Sequence, residues 1–137
     1  MVLLAERYGP ALKMAPHFTL PGFQEKSRSI THFFGTRRGP HYGEPSDESG
    51  IVKAVEPDFQ KVISVQQVHG TDVLVLDRHV EVGEKFPGGW DAILTNQPNL
   101  LVTVRTADCV PVLLTDPHQR IVGAVHAGWR GTVHGII

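Results

Sequence analysis

The chain has 137 residues, a hydrophobic content of 41% and a formal net charge of -1, enough apolar sequence for one domain with a buried core. This balance excludes the basic surface of a nucleic-acid-binding protein and the acidic run of a solvating tail. The apolar N-terminus is interrupted by Glu6 and Arg7, and no apolar run is long enough to span a membrane. A single cysteine excludes an intrachain disulfide and fits a reducing compartment, so we expect a cytoplasmic protein without membrane or nucleic-acid partners.

Two zones of different texture follow one another along the chain. Residues 1–60 are rich in turn-forming residues and predict an irregular zone with one short helix over 49–55. The zone 61–137 is rich in β-branched runs, which predict short strands over 61–68, 71–76, 91–95, 100–106, 110–115 and 121–125. Glycine and small residues then lead into a helix that begins near Trp129. The pattern predicts one α/β (α+β layered) domain over 1–137, with a mixed β-sheet and few helices.

The predicted strands are nearly continuous apolar runs, which are typical of strands covered on both faces. The chain has few helical segments that could cover them. We therefore expect either a fragment of a larger α/β protein or a sheet that is covered by a partner chain, including self-association through the uncovered sheet.

The last two predicted strands form a hairpin that brings the single cysteine close to a histidine. A five-residue turn over 116–120 would place Cys109 opposite His126, with Cβ atoms about 5 Å apart. That is a distance at which two side chains can share a ligand. With His69 upstream, the chain offers one soft and two borderline ligands, which suit zinc or a cysteine nucleophile.

Several interpretations of these residues stay open. Cys109 can be a small buried hydrophobe, or a thiolate nucleophile with His126 or His69 as its base. Copper is disfavoured, because a multicopper oxidase needs His-x-His pairs, which the sequence lacks, and because Met1 and Met14 are poorly placed as axial ligands.

Other charged side chains are candidates for supporting roles. Asp108 adjoins the cysteine and can orient a ligating histidine, cap a turn or pair with Arg105. Arg37, Arg38 and Arg130 can bind a phosphate or a carboxylate through two parallel hydrogen bonds, or remain solvated on the surface.

Three motifs resemble the signature segments of the YfiH family, whose members are also described as laccase-domain or polyphenol-oxidase-like proteins, purine nucleoside phosphorylases and peptidoglycan editing factors. The motifs are Gln-Val-His-Gly over 67–70, Thr-Ala-Asp-Cys-Val-Pro over 106–111 and His-Ala-Gly-Trp-Arg-Gly over 126–131. Their order and spacing are compatible with the family, and segments 34–37 and 90–95 also match. The resemblance covers roughly residues 30–137.

The resemblance implies a layered α/β fold and a zinc ion held by His69, Cys109 and His126. Three protein ligands with an open fourth position are the pattern of a catalytic zinc site. It also implies phosphorolysis of adenosine, inosine, guanosine or methylthioadenosine, with adenosine deamination at the same site. The partners implied are thus a purine nucleoside and phosphate. The predicted catalytic set adds Asp108 to the three ligands, and the predicted substrate-binding residues are Arg37, Gln67 and Arg130.

Two features depart from the family pattern. Residues 38–43 and the acidic stretch after them replace a Gly-Gly-Val-Ser and a Leu-Asn-Leu-Gly segment, and the chain lacks the family's C-terminal part. Two alternatives to the phosphorylase therefore stay open. One is a cysteine-dependent amidase that removes wrongly incorporated serine from peptidoglycan precursors, and the other is an inactive metal-binding fragment.

Overall fold

The computed structural model describes residues 2–6, 17–18, 30–35, 61–81 and 83–137. The helix predicted over 49–55 and the side chains of Arg37 and Arg38 lie outside these residues. The elements within them are β1 (Val2–Glu6), β2 (His17–Phe18), β3 (Ile30–Gly35), β4 (Lys61–Ile63), β5 (Val73–Leu76), β6 (Ala92–Thr95), β7 (Leu100–Val104), β8 (Val110–Asp116), β9 (Ile121–Ala127) and α1 (Trp129–Val133).

The strands form two sheets that pack against each other. The first sheet has the order β2-β3-β1-β7-β4, and the second has the order β5-β6-β9-β8. Both are mixed, because β4 runs parallel to β7 and β5 runs parallel to β6 while the other neighbours are antiparallel. This arrangement confirms the predicted mixed β-sheet architecture with little helix.

The core lies between the two sheets and centres on β7. Every residue of β7 is buried, and alternate residues of this strand face the second sheet, as the two-residue period of a strand requires. Leu101, on the other face of β7, is also fully buried, so this strand is covered on both sides as its apolar run predicts. The core residues contributed by β7, β6 and β9 are Leu100, Val102, Val104, Ile93, Val122 and Ala124.

The N-terminal zone differs from its prediction as an irregular region. Strand β1 lies in the middle of the first sheet, between β3 and β7, with Val2 opposite Val104. A short apolar run without clear alternation is a weak strand signal. The segment becomes a strand because it pairs with β7, about a hundred positions later in the chain. Local sequence propensity does not predict such a long-range pairing.

The predicted strand over 61–68 is also shorter than expected. It ends at Ile63, and residues 64–68 leave the sheet. The strand predicted over 71–76 begins at Val73. The chain between these strands therefore forms a long irregular segment, and His69 lies within it rather than at a strand end.

The register of the β8–β9 hairpin differs from the prediction by two residues. His126 lies opposite Pro111 instead of Cys109, and Asp116 lies opposite Ile121. Because side chains alternate between the faces of a strand, a shift by two residues leaves Cys109 and His126 on the same face. The predicted proximity therefore survives an error in the predicted register.

A tighter turn explains the register. The Asp116 carboxylate accepts hydrogen bonds from the main-chain N–H groups of His118 and Gln119, at 2.9 and 3.1 Å. Such a side-chain-closed turn starts at Asp116 and lets that residue pair in β8. Arg120 completes the turn with a left-handed φ of 57°.

The outward face of the second sheet carries exposed apolar side chains. Val73 and Val75 of β5 lie on the face opposite the core, as do Val110 and Leu114 of β8, and all four are exposed. Self-association through this face stays a prediction. Within the described part of the chain, none of the helices has the length and apolar character needed to cross a membrane.

Candidate metal centre

Three side chains from separate parts of the chain converge at one end of the second sheet. One ligand atom each from His69, Cys109 and His126 lies within 4.8 Å of the others. His69 comes from the segment between β4 and β5, Cys109 directly precedes β8, and His126 belongs to β9. The two imidazole rings meet edge to face at 80°, with centroids 4.8 Å apart. The structure thus brings the three predicted ligands together at one end of the second sheet.

A buried carboxylate, Asp91, organises two of these ligands. Asp91 directly precedes β6 and is 0% exposed. Its Oδ1 lies 2.7 Å from Nδ1 of His126 and accepts the main-chain N–H of His69 at 2.9 Å. Its Oδ2 accepts the N–H groups of Gly70 at 2.6 Å and Val68 at 3.2 Å. One carboxylate therefore fixes the His126 ring and the main chain that carries His69.

The hydrogen bonds determine the protonation of Asp91. Burial raises the pKa of this carboxyl, but the hydrogen bonds from His126, Gly70, Val68 and His69 outweigh burial and hold the pKa below its ordinary value. Asp91 is therefore ionised at neutral pH and can only accept hydrogen bonds. His126 therefore donates from Nδ1 to Asp91, and Nε2 is the ring nitrogen that could reach a metal.

The backbone at His69 adopts a conformation that is uncommon for a side-chain-bearing residue. Its φ is 62°, in the left-handed region. The turn directs three successive main-chain N–H groups, from Val68 to Gly70, at the Asp91 carboxylate. Such a concave set of amides stabilises an anion, and this stabilisation offsets the backbone cost.

Cys109 lies beside two carboxylates. Partial burial raises the pKa of its thiol, and the nearby charges of Asp108 and Asp91 raise it further. Without a bound cation the sulfur is therefore a neutral thiol at physiological pH. A bound cation reverses this effect, because it stabilises the thiolate directly.

The sequence predicts that Asp108 can orient a ligating histidine, but the structure places it elsewhere. It is exposed, and its Oδ1 lies 3.9 Å from the Cys109 sulfur. The carboxylate on the ring of His126 belongs to Asp91. The segment 90–95 matches the family pattern, but nothing in the sequence distinguishes Asp91 from an ordinary first residue of the predicted strand over 91–95.

Two glycines after β9 make room for the centre. A Cβ at Gly128 would lie 2.8 Å from Cδ2 of His69 and 3.4 Å from Sγ of Cys109. A Cβ at Gly131, the buried position of α1, would lie 2.6 Å from the carbonyl oxygen of Gly70. The start of the helix therefore packs directly against the His69 turn, because these residues have no side chains.

The predicted substrate-binding residues lie in different settings. The carboxamide of Gln67 hydrogen-bonds to the main chain of Arg105, donating to its O at 2.7 Å and accepting its N–H at 2.8 Å. Arg130 is exposed on α1, with its guanidinium 5.4 Å from the centre of the Trp129 ring. Arg37 lies outside the described residues.

The donor set suits zinc. One thiolate sulfur and two imidazole nitrogens are typical zinc ligands, and three protein ligands leave a fourth position for a substrate or water. The carboxylate behind His126 adds the outer support that ligating histidines commonly have. The same set of one cysteine and two histidines also describes a blue-copper centre, which commonly has a methionine as a weak axial ligand. The group found among the described residues consists of His69, Cys109 and His126 alone.

Comparison with known proteins places this centre in a family. Residues 47–137 match the family described as multi-copper polyphenol oxidoreductase laccase. A protein of Deinococcus radiodurans named purine nucleoside phosphorylase is 45% identical over 133 residues, which cover 83% of this chain and 49% of that protein. A protein of Streptomyces coelicolor with the same enzyme name is 41% identical over 103 residues, covering 69% of this chain and 42% of its own length.

A solved structure supports the same assignment. The crystal structure of YlmD from Geobacillus stearothermophilus superposes with a TM-score of 0.51 at 28% identity, covering 63% of this chain and 34% of YlmD. The chain spans about half the length of the curated relatives it matches. The family match, the named relatives and the shared fold confirm the resemblance drawn from the sequence motifs, and the chain belongs to the laccase-domain family, also called the YfiH family.

Proposed function

We propose that the chain carries the zinc site of a purine nucleoside phosphorylase that also deaminates adenosine. The observation that supports it most is the convergence of His69, Cys109 and His126 within 4.8 Å, with Asp91 holding the outer nitrogen of His126. The names of the relatives supply the substrate class, a purine nucleoside with phosphate.

The residues divide the work in the following way. His69, Cys109 and His126 would hold the zinc, which supplies a Lewis acid at its open coordination position when bound. Asp91 accepts the hydrogen bond from Nδ1 of His126, so that Nε2 is the nitrogen that would bind the metal. His69 is exposed while His126 is 3% exposed, so a substrate would approach from the His69 side of the site.

Phosphorolysis sets further requirements. A phosphate oxygen bonds to C1′ of the ribose while the C1′–N9 bond breaks, and the purine leaves with the bonding electrons and takes up a proton. The phosphate needs cationic partners, for which we propose Arg37 and Arg130. Deamination of adenosine would instead replace the amino group at C6 with oxygen from water, and release ammonia.

The cysteine-dependent amidase is a weaker interpretation of the same geometry. A cysteine nucleophile reacts as a thiolate, and its pKa is lowered where it is activated. Here partial burial and two carboxylates raise the pKa of the Cys109 thiol. This environment favours a sulfur that is ionised by a metal over one that is ionised by a neighbouring base.

Metal content and product analysis test the proposal together. We expect about one zinc per chain, by elemental analysis, in the purified protein, and loss of zinc in Cys109→Ser and His126→Ala. His118→Ala is the matched control, because His118 lies exposed in the β8–β9 turn. Folded protein without zinc would contradict the metal site.

The reaction is tested on the same samples by chromatography. Inosine with phosphate should yield hypoxanthine and ribose 1-phosphate, and adenosine without phosphate should yield inosine. A metal chelator should abolish both reactions. An amide-cleaving activity that survives the chelator and is lost in Cys109→Ser would instead identify the amidase.

A further inference from the structure

The sequence predicts a substrate-binding role for Gln67, but the contacts of its side chain point to a different role. The side chain lies half-buried, and both ends of its carboxamide bond to a single residue, Arg105, 38 positions away. The Nε2 group donates to the Arg105 carbonyl at 2.7 Å, and Oε1 accepts the Arg105 N–H at 2.8 Å. A glutamine engaged in this way reproduces the donor and acceptor pair of a β-ladder.

The position of this pair explains what it replaces. Strand β4 runs parallel to β7, and the last main-chain pair joins Ile63 to Val102. The hydroxyl of Thr103 still donates to the Ile63 carbonyl at 3.2 Å, after which the chain at 64–68 leaves the sheet. The Gln67 carboxamide thus reconnects the segments that follow β4 and β7, beyond the end of their main-chain pairing.

Both segments lead directly to proposed metal ligands. Gln67 precedes His69 by two residues, and Arg105 precedes Cys109 by four. Asp91 already fixes the main chain of His69 to the second sheet. The Gln67 pair is a separate link, which ties the same turn to the segment that carries Cys109 from β7 to β8.

We propose that Gln67 is a positioning residue, which sets the separation between His69 and Cys109 and so supports metal binding without touching the substrate. This inference rests on the proposed zinc site, and it assigns Gln67 a different role from the substrate contact predicted from the sequence. A positioning role predicts a loss of metal affinity, whereas a substrate contact predicts a loss of substrate affinity alone.

Cobalt titration distinguishes the two roles, because Co²⁺ bound to a thiolate has a charge-transfer absorption that reports the metal–sulfur bond. We expect Gln67→Ala to weaken Co²⁺ binding by about tenfold, the lower end of the effect of removing a group that hydrogen-bonds to a ligand, and to reduce the charge-transfer band. Gln67→Glu keeps the size and the acceptor but sets an oxygen against the Arg105 carbonyl, so we expect a similar loss.

Gln97→Ala is the matched control. Its Nε2 also bridges two chain segments, donating to the Asp77 carbonyl at 3.3 Å, but it follows β6 at the end opposite Asp91. We expect its cobalt affinity and its charge-transfer band to equal those of the unsubstituted chain.

The possible outcomes separate this inference from the proposed function. If the unsubstituted chain binds no cobalt, the metal site and the role of Gln67 both fail. If it binds cobalt and Gln67→Ala binds equally well with the same band, only the role of Gln67 fails. In that case, a higher KM for inosine in Gln67→Ala would support the substrate-binding role that the sequence predicts for Gln67. Weaker cobalt binding with an unchanged KM at saturating metal would support the positioning role.

Discussion

Replacing Asp91 by asparagine tests whether one buried carboxylate organises the centre. The two Asp91 oxygens accept four hydrogen bonds, from Val68, His69, Gly70 and His126. An asparagine of the same shape keeps one acceptor oxygen and turns an NH₂ group towards the other two donors. Whichever way the amide is oriented, two donors in a site that is 0% exposed at residue 91 lose their acceptor.

The magnitude follows from that count. Leaving a buried donor unsatisfied costs about 1–3 kcal/mol, so two of them should lower the free energy of unfolding by about 2–6 kcal/mol. This is a large part of the roughly 5–15 kcal/mol that stabilises a typical domain. With a urea m-value of about 2 kcal/mol/M, the unfolding midpoint should fall by about 1–3 M.

Urea unfolding of the chelator-treated chain measures this effect without any contribution from bound metal. Asp108→Asn is the matched control, because Asp108 is exposed and its Oδ1 lies 3.9 Å from the Cys109 sulfur. Its free energy of unfolding should change by less than about 0.5 kcal/mol. Equal midpoints for the two variants would refute the reasoning.

The pKa of Asp91 in the folded chain is below its ordinary value. The ionised carboxylate therefore stabilises the fold above about pH 4, and this contribution is lost as the pH falls through the folded-state pKa. Asp91→Asn should lack this part of the acid sensitivity.

Three further changes test the packing and charge of the centre. Gly128→Ala places a Cβ 2.8 Å from His69 Cδ2, so the ring must move and Co²⁺ affinity, measured by absorbance, should fall by about tenfold; unchanged affinity would contradict the close packing. Gly131→Ala sets a Cβ 2.6 Å from the Gly70 carbonyl and should lower the free energy of unfolding by about 1–3 kcal/mol, a loss that thermal unfolding would detect. Because the pKa of the Cys109 thiol is raised, metal uptake must release its proton, and Co²⁺ affinity should rise by about tenfold per pH unit between pH 6 and 8; a flat profile would exclude thiolate ligation.

The sequence predicts the proximity of Cys109 and His126 better than it predicts the carboxylate beside them. The predicted hairpin places Cys109 and His126 together with a register that is two residues off, since the observed pairing joins His126 to Pro111. The prediction held because side chains alternate with a period of two, so this shift preserved the shared face. A shift by one residue would have separated the two side chains.

Asp91 could not be identified in the same way. Its contacts are with residues 21 to 23 positions earlier and 35 positions later, and the local sequence shows only an acid at the start of an apolar strand. Strand β1 has the same difficulty, because it is defined by pairing with β7. Both features are long-range, and local patterns carry no information on which distant partner will be chosen.

The placement of the three proposed ligands along the chain would link metal uptake to folding. Cys109 follows His69 by 40 residues (109 − 69) and His126 follows Cys109 by 17 (126 − 109), and the segment with Cys109 crosses from one sheet to the other. An unfolded chain therefore holds no preformed site, and an ion bound at the proposed site would favour the state in which the two sheets are docked. At a free metal concentration of one hundred times Kd, this preference would add about 2.7 kcal/mol to the stability of the folded chain. Metal availability would then govern how long the folded chain survives proteolysis.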